Sequence, residues 1–299
     1  MLFPPFEPDS NEPRRRRFRP IPVRTLVPNV ITLLALCAGL TAIRLAVENR
    51  LDWALAAIVF AAVLDGVDGR VARMLKGTSR FGAELDSLAD FVNFGVAPAL
   101  ILYLWDLHEF KNFGWMAAMV FAICAGLRLA RFNVTLDDPN RPAWAGNFFV
   151  GMPAPAGAIT VLLPIYVSFL GVPRLFFITS VTFLYTLFIG LLMVSRVPVF
   201  SGKKLGNRVP REMVLPVFVV VVLFVAALIS YPWEVLTAGT VLYLGSLPFG
   251  ILSYRNYERE AARASAHPPA TPPSGDPPRP SSPTRAAGEP GEGRPPRLN

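Results

Sequence analysis

Four aspartates recur at helical spacing within one apolar part of the chain. Asp65 and Asp68 are three residues apart, and Asp86 and Asp90 are four residues apart, in the stretch LDGVDGRVARMLKGTSRFGAELDSLADFVNF at 64–94. On helices, each pair lies on a single face. Apolar runs precede and follow this stretch, so an isolated carboxylate there would be costly to ionise. Four acids in such a setting predict bound cations.

Hard divalent cations suit this set of side chains. Mg²⁺ and Mn²⁺ take oxygen ligands, and Mg²⁺ often completes its coordination shell with substrate phosphates. The residues therefore predict a divalent-metal site near one end of two antiparallel helices. The structural alternative is an ion-pair network of the acids with Arg70, Arg73 and Lys76.

The composition indicates that membrane helices hold these acids. Of the 299 residues, 53% are hydrophobic, and the mean hydropathy is +0.43. Helices of ~20 residues cross ~30 Å of hydrocarbon. We predict an all-α membrane protein, a polytopic bundle of about eight transmembrane helices, at 27–47, 52–74, 81–105, 113–131, 153–170, 175–195, 213–229 and 233–253. Because KGTSR is a short turn, the second and third helices should be antiparallel neighbours.

The basic residues predict the orientation of the chain and its division. Loops rich in Lys and Arg alternate with poorer ones, and the positive-inside rule puts both termini and the aspartates in the cytosol. The net charge of +8 suits an anionic leaflet better than nucleic acid. We expect a basic cytosolic arm at 1–26, a transmembrane catalytic domain at 27–254, and a disordered Pro-rich cytosolic tail at 255–299.

Cysteine and histidine chemistry is not indicated. Cys37 and Cys124 fall inside apolar runs, and the two histidines, His108 and His267, are far apart in the sequence. This usage predicts neither a disulfide framework, nor a thiolate zinc site, nor a histidine-based triad.

The complete pattern Asp-x2-Asp-Gly-x2-Ala-Arg-x8-Gly-x3-Asp-x3-Asp at 65–90 resembles the signature of the CDP-alcohol phosphotransferases. The resemblance implies that family's fold and two divalent ions, Mg²⁺ or Mn²⁺, which hold a pyrophosphate and stabilise its departing phosphate. It implies that Asp65, Asp68 and Asp86 are metal ligands and that Asp90 is both a ligand and the catalytic base. The expected CDP-diacylglycerol-binding residues are Asn29, Thr32, Asp68, Gly69, Ala72, Arg73 and Gly82.

Further segments resemble the bacterial and archaeal members of this family that use L-serine as the acceptor alcohol. They are RLARFNV at 128–134, FFVGMPAPAGA at 148–158 and LMVSRVPVFSGKK at 192–204, besides the stretch that carries the acids. The resemblance implies an enzyme of a bacterial cytoplasmic membrane, commonly a homodimer, that makes a phospholipid from CDP-diacylglycerol and L-serine.

A zwitterionic acceptor requires a cation for its carboxylate and oxygen atoms for its ammonium group. Position favours Arg128, Arg131 and Asn133 for the carboxylate, and Glu84 or Asn93 for the ammonium group. Arginines that set topology and polar groups that pack helices are equally compatible with these positions.

Other functions remain open at this point. Glycerol 3-phosphate or inositol phosphate as the acceptor would require a denser basic pocket. A divalent-cation transporter would need polar residues through the full depth of the membrane, whereas the acids here cluster toward one end. A lipid-binding scaffold without turnover is a third alternative.

Overall fold

Helices dominate the computed structural model, which describes residues 23–75, 77, 79–136, 148–173, 177–195, 198–200 and 211–266. In chain order they are α1 (Val23–Val47), α2 (Leu51–Met74), α3 (Arg80–Asp90), α4 (Ala97–Trp105), α5 (Lys111–Leu136), α6 (Ala154–Val161), α7 (Leu163–Phe169), α8 (Ile178–Val194), α9 (Arg211–Ser230) and α10 (Pro232–Ala266). A π-helical turn, Phe91–Val96, joins α3 to α4, and a 3₁₀ turn, Leu107–Phe110, precedes α5. The predicted all-α class is confirmed.

The predicted number of eight spans is not confirmed, although a described helix lies within each predicted span. Among the described residues, four helical stretches are long and apolar enough to cross a membrane: Leu26–Val47, Arg80–Trp105, Leu107–Thr135 and Met213–Ser230. Two apolar stretches are shorter, Ala154–Phe169 and Ile178–Val194. The predicted fifth span divides into α6 and α7 near Leu162, and α2 carries acids and arginines in its second half. The apolar helices indicate an integral membrane protein.

One short antiparallel ribbon was not predicted. Strands β1 (Phe148–Val150) and β2 (Pro198–Phe200) pair with Phe149 opposite Val199. The ribbon joins the segment before α6 to the segment after α8, so two of the stretches that resemble the serine-using enzymes lie side by side.

Helix α1 holds α2 and α3 in place. It packs along α2 through small residues, since Ala42 and Ala46 of α1 and Ala54 and Ala61 of α2 are buried. Small side chains let helix backbones approach closely. Helix α1 also packs against α3, whereas α2 and α3 make few direct contacts with each other. The two predicted neighbours are therefore bridged by α1, and a space remains between them.

The described core lies where the π-helical turn and α4 meet the other helices. Phe94, Ile101 and Leu102 are fully buried, and they belong to one apolar cluster with Phe121 of α5 and Ile189 of α8. This cluster supports the end of α3 that carries Asp90.

Helix α8 is held at both ends by charged side chains. At its start, the Thr179 hydroxyl lies 3.2 Å from Asp106 Oδ1 and 3.2 Å from Glu109 Oε2. At its end, the Arg131 guanidinium donates to the carbonyl oxygens of Val194 at 2.7 Å and Ser195 at 3.1 Å. Anions near a helix N-terminus and cations near its C-terminus are favourable.

The chain divides into two compact units, Met1–Arg255 and Asn256–Asn299. The described part of the second unit is the last stretch of α10, which continues to Ala266. Most of the predicted basic arm, the tail beyond residue 266, and Lys76 lie outside the described residues. The predicted domain boundaries therefore stay predictions.

Candidate active site

Two helices bring three of the four predicted metal ligands together. Asp65 and Asp68 lie on α2 and Asp86 lies on α3, and one carboxylate oxygen from each is within 4.8 Å of the others. Asp90 is outside this compact set, but its carboxyl group interacts with that of Asp65. The structure thus joins all four acids predicted from the sequence, three directly and the fourth through Asp65.

A threonine from α1 holds one of these acids. The Thr32 hydroxyl is 2.7 Å from Asp68 Oδ2 and 3.1 Å from the Pro28 carbonyl oxygen. Thr32 and Asp68 are both buried, with exposed fractions of 5% and 4%. Thr32 was predicted to bind the donor substrate, and the structure shows that its hydroxyl contacts the Asp68 carboxylate.

A cavity of about 370 Å³ opens beside the acids, between α1, α2 and α3. All seven residues predicted to bind CDP-diacylglycerol line it. Its wall also includes residues that were not predicted to bind the donor: Pro28, Gly77, Ser79, Ala83 and Asp86. Ser79 is the N-cap of α3, since its hydroxyl accepts from the Gly82 N–H at 3.0 Å. Serine is a favoured N-cap residue, so a serine just before a predicted helix is the signal that could have identified it from the sequence.

The two glycines of the predicted motif have different surroundings. A Cβ atom at Gly69 would meet nothing within 4 Å, so this backbone borders open space in the cavity. A Cβ atom at Gly82 would lie 2.8 Å from Asn29 Oδ1. Gly69 therefore leaves room for a ligand, whereas Gly82 also allows α3 to approach α1 closely.

The basic residues of α2 do not neutralise the acids. Neither Arg70 nor Arg73 forms a salt bridge with a described residue; the ion pair found among the described side chains is Arg44–Glu48. Arg73 is exposed at the rim of the cavity. The ion-pair network that was the structural alternative is thus not formed by these two arginines, and Lys76 lies outside the described residues.

Arg128 is the predicted acceptor-binding residue that faces the acids. It is 7% exposed, its guanidinium carbon lies 5.2 Å from the Phe132 ring centroid, and it interacts electrostatically with Asp90 and Asp65. No hydrogen bond or salt bridge joins Arg128 to another residue in the described ranges. The guanidinium therefore faces two of the four carboxyl groups, those of Asp90 and Asp65.

The other four candidates for acceptor binding have different surroundings. Glu84 is exposed, and Arg131 donates to carbonyl oxygens at the end of α8. Asn133 Nδ2 donates to Ser87 Oγ at 2.9 Å, which links α5 to the turn of α3 that carries Asp86. Asn93 is fully buried against Gly39, and neither end of its amide has a hydrogen-bond partner among the described residues. The contacts of Arg131, Asn133 and Asn93 link helices or turns to one another. The use of all four residues in acceptor binding stays a prediction.

The chemistry of the cluster fits a divalent cation. Carboxylate groups crowded at the edge of an apolar bundle repel one another and are costly to ionise unless compensated. The converging atoms are all oxygens, the ligand type that Mg²⁺ and Mn²⁺ prefer. Asp65, Asp68 and Asp86 could hold such an ion beside a cavity that can accept phosphate oxygens.

The fold and this site agree with the comparison to known families. Residues 25–194 match the sequence model of the CDP-alcohol phosphatidyltransferase family, and residues 212–248 match that of CDP-alcohol phosphatidyltransferase 2. The first match covers all four aspartates and more than half of the chain. The chain belongs to the CDP-alcohol phosphatidyltransferase family.

Several named relatives are similar to most of this chain. The chain is 42% identical over 251 residues to a CDP-diacylglycerol--serine O-phosphatidyltransferase of Mycobacterium leprae, covering 82% of this chain and 80% of the relative. It is 42% identical over 235 residues to the protein of that name from Mycobacterium tuberculosis, covering 77% and 79%. It is 34% identical over 225 residues to that from Helicobacter pylori, covering 75% and 90%. The predicted family is confirmed.

Proposed function

We propose that the protein transfers the phosphatidyl group of CDP-diacylglycerol to the hydroxyl of L-serine, which gives phosphatidylserine and CMP. The observation that carries this proposal is the acid-lined cavity within the family domain, whose walls include all seven residues expected to bind the donor. The names of the relatives support serine as the acceptor.

In this reaction the serine oxygen forms a bond to the phosphorus that bears the diacylglycerol. The bond from that phosphorus to the oxygen bridging to CMP breaks, and CMP leaves with the electron pair. Asp90 accepts the proton of the serine hydroxyl, a role that fits its position beside the other acids and apart from their compact oxygen set. Arg73 at the cavity rim contributes positive charge toward the pyrophosphate.

Two divalent ions, Mg²⁺ or Mn²⁺, bound by Asp65, Asp68, Asp86 and Asp90, would supply charge neutralisation for the pyrophosphate and the leaving phosphate. Thr32 orients Asp68 for this task. Gly69 and Ala72 keep the wall of the cavity clear for the nucleotide. Arg128 offers a cation to the carboxylate of serine.

The placement of the protein in the cell is part of the same proposal. We infer that it lies in a bacterial cytoplasmic membrane, with both termini and the acids in the cytosol, because the basic loops alternate with poorer ones. We also infer a transmembrane catalytic domain at 27–254 flanked by the basic arm and the Pro-rich tail. The family resemblance favours a homodimer.

An acceptor assay tests the proposed reaction. Purified protein receives CDP-diacylglycerol, Mg²⁺ or Mn²⁺, and labelled L-serine, glycerol 3-phosphate or inositol phosphate in separate reactions. We expect labelled lipid and CMP from serine alone. Product from a phosphorylated alcohol but not from serine would contradict the choice of acceptor, and metal flux into liposomes without CMP release would favour a transporter.

A further inference from the structure

Helix α10 carries a polar group whose hydrogen-bonding capacity is unused, and this group interacts with Arg128. Tyr243 packs against the buried core, and its hydroxyl oxygen is buried without a hydrogen-bond partner among the described residues. Its phenol interacts electrostatically with Arg128. A buried hydroxyl without a partner is costly, so native structures usually provide one.

Thr240, one turn before Tyr243, shows the same feature. It is 3% exposed, and its hydroxyl also has no partner in the described part of the chain. Other helical threonines of this protein donate to the carbonyl oxygen four residues earlier: Thr41, Thr135, Thr182 and Thr186. This face of α10 therefore presents hydroxyl groups whose hydrogen-bonding capacity the fold leaves unused.

Arg128 is the charged side chain that interacts with Tyr243. Its guanidinium is almost fully buried and faces Asp90 and Asp65, but it forms no hydrogen bond with a described residue. A guanidinium can bind a planar carboxylate through two parallel N–H groups. A phenol beside it can donate a further hydrogen bond to the same anion.

We propose that Tyr243 is a positioning and specificity residue, whose hydroxyl donates a hydrogen bond to the carboxylate of the acceptor amino acid that Arg128 binds. The inference rests on the proposed function, since it deepens the choice of serine as acceptor. Helix α10 then contributes Tyr243 to the acceptor site. It discriminates against amino alcohols without a carboxylate, because they leave Tyr243 and Arg128 unpaired.

The test compares two acceptors in the purified enzyme. Ethanolamine keeps the hydroxyl and ammonium groups of serine but lacks the carboxylate. In Tyr243→Phe the ring stays and the hydroxyl is lost, so we expect the KM for serine to rise roughly tenfold. The KM for CDP-diacylglycerol and the rate with ethanolamine should stay near the wild-type values, so the preference for serine falls.

Tyr166→Phe is the matched control. The Tyr166 hydroxyl is also buried without a partner among the described residues, but its ring stacks against Trp233 at a centroid distance of 6.4 Å. We expect this variant to keep the serine preference. An unchanged preference in Tyr243→Phe, or an equal loss with both acceptors, would overturn the role of Tyr243 while the proposed function stands. A wild-type enzyme that does not use serine would overturn both.

Discussion

Asp90 differs from the other three aspartates in its surroundings. Asp65, Asp68 and Asp86 form a compact set of oxygens, whereas Asp90 contacts this set through Asp65 and faces Arg128. Its carboxyl group can therefore be altered while the other three carboxylates remain in place. A change at Asp90 thus tests its proposed role as the base with most of the proposed metal ligands intact.

Asp90→Asn should reduce phosphatidyl transfer by about 10²- to 10⁴-fold, because the amide cannot accept the proton of the acceptor hydroxyl. CDP-diacylglycerol should still bind, which a binding titration can measure alongside CMP release. Asp52→Asn, at an exposed aspartate in the first turn of α2, is the control and should keep full activity. Undiminished turnover in Asp90→Asn would remove this residue from the role of base.

Thr32→Val should raise the Mg²⁺ concentration needed for half-maximal activity by about tenfold. Loss of the hydroxyl frees Asp68 to rotate, and partners that orient a metal ligand contribute 10- to 100-fold to affinity. Thr41→Val is the matched control on the same helix, because the Thr41 hydroxyl donates at 2.6 Å to the Cys37 carbonyl oxygen instead. If both variants have the same Mg²⁺ activation curve, Thr32 does not orient a ligand.

For single residues, the sequence predicted that the acids lie together, but it did not predict the contacts of the candidate acceptor residues. The aspartates are local in sequence, so helical spacing alone places each pair on one face. The Thr32–Asp68 bond joins residues 36 positions apart, and no local pattern encodes it. Arg131 and Asn133 have the residue types that an anion site needs, but their helix-tethering contacts depend on how α5 packs against α8 and α3.

Helix α1 approaches the π-helical turn closely at Gly39. Gly39 lies against the Asn93 side chain, and an added Cβ atom would overlap the amide. Asn93 is three residues after Asp90, so this contact sets how the end of α3 lies against α1. Wide π-helical turns often occur at functional sites.

Gly39→Ala should lower the stability of the protein by about 1–3 kcal/mol, because the added methyl group overpacks this contact. Thermal unfolding in detergent measures the effect as a lower Tm. Gly245→Ala is the control, since a Cβ atom there would meet nothing within 4 Å. Shortening the opposing side chain in Gly39→Ala/Asn93→Ala should restore part of the Tm, and an unchanged Tm in the single variant would show that α1 can move away freely.

The positions of the helices followed from apolar runs, but three local features did not. These features are the division between α6 and α7, the π-helical turn and the β1–β2 ribbon. All three occur inside or beside apolar stretches whose residue pattern gives no sign of a change in structure. The two strands have three residues each and pair across about 50 positions of sequence, so neither carries a strand signal of its own. The bridging of α2 and α3 by α1 is likewise a tertiary feature.

The basic residues predict how the whole molecule is oriented in the membrane, and cysteine labelling can test this orientation. In a background without Cys37 and Cys124, Asn112→Cys at the start of α5 should react with a membrane-impermeant maleimide in intact cells. Arg80→Cys at the start of α3 should react only after permeabilisation, because the positive-inside rule puts that turn in the cytosol. Both parent residues are exposed. The reverse labelling pattern would put the acid site on the outer side.

The two attachments of α8 have a consequence for its length. Asp106 and Glu109 lie just before α5, and Arg131 lies near the end of α5. Helix α5 and the turn before it therefore contact both ends of α8. The 17 residues of α8 span about 25 Å at 1.5 Å per residue. One inserted residue would move an end by a further 1.5 Å and rotate it by about 100°. The distance between these contacts on α5 therefore fixes the length of α8. Among related sequences, we expect the number of residues in α8 to vary less than the identity of its apolar side chains.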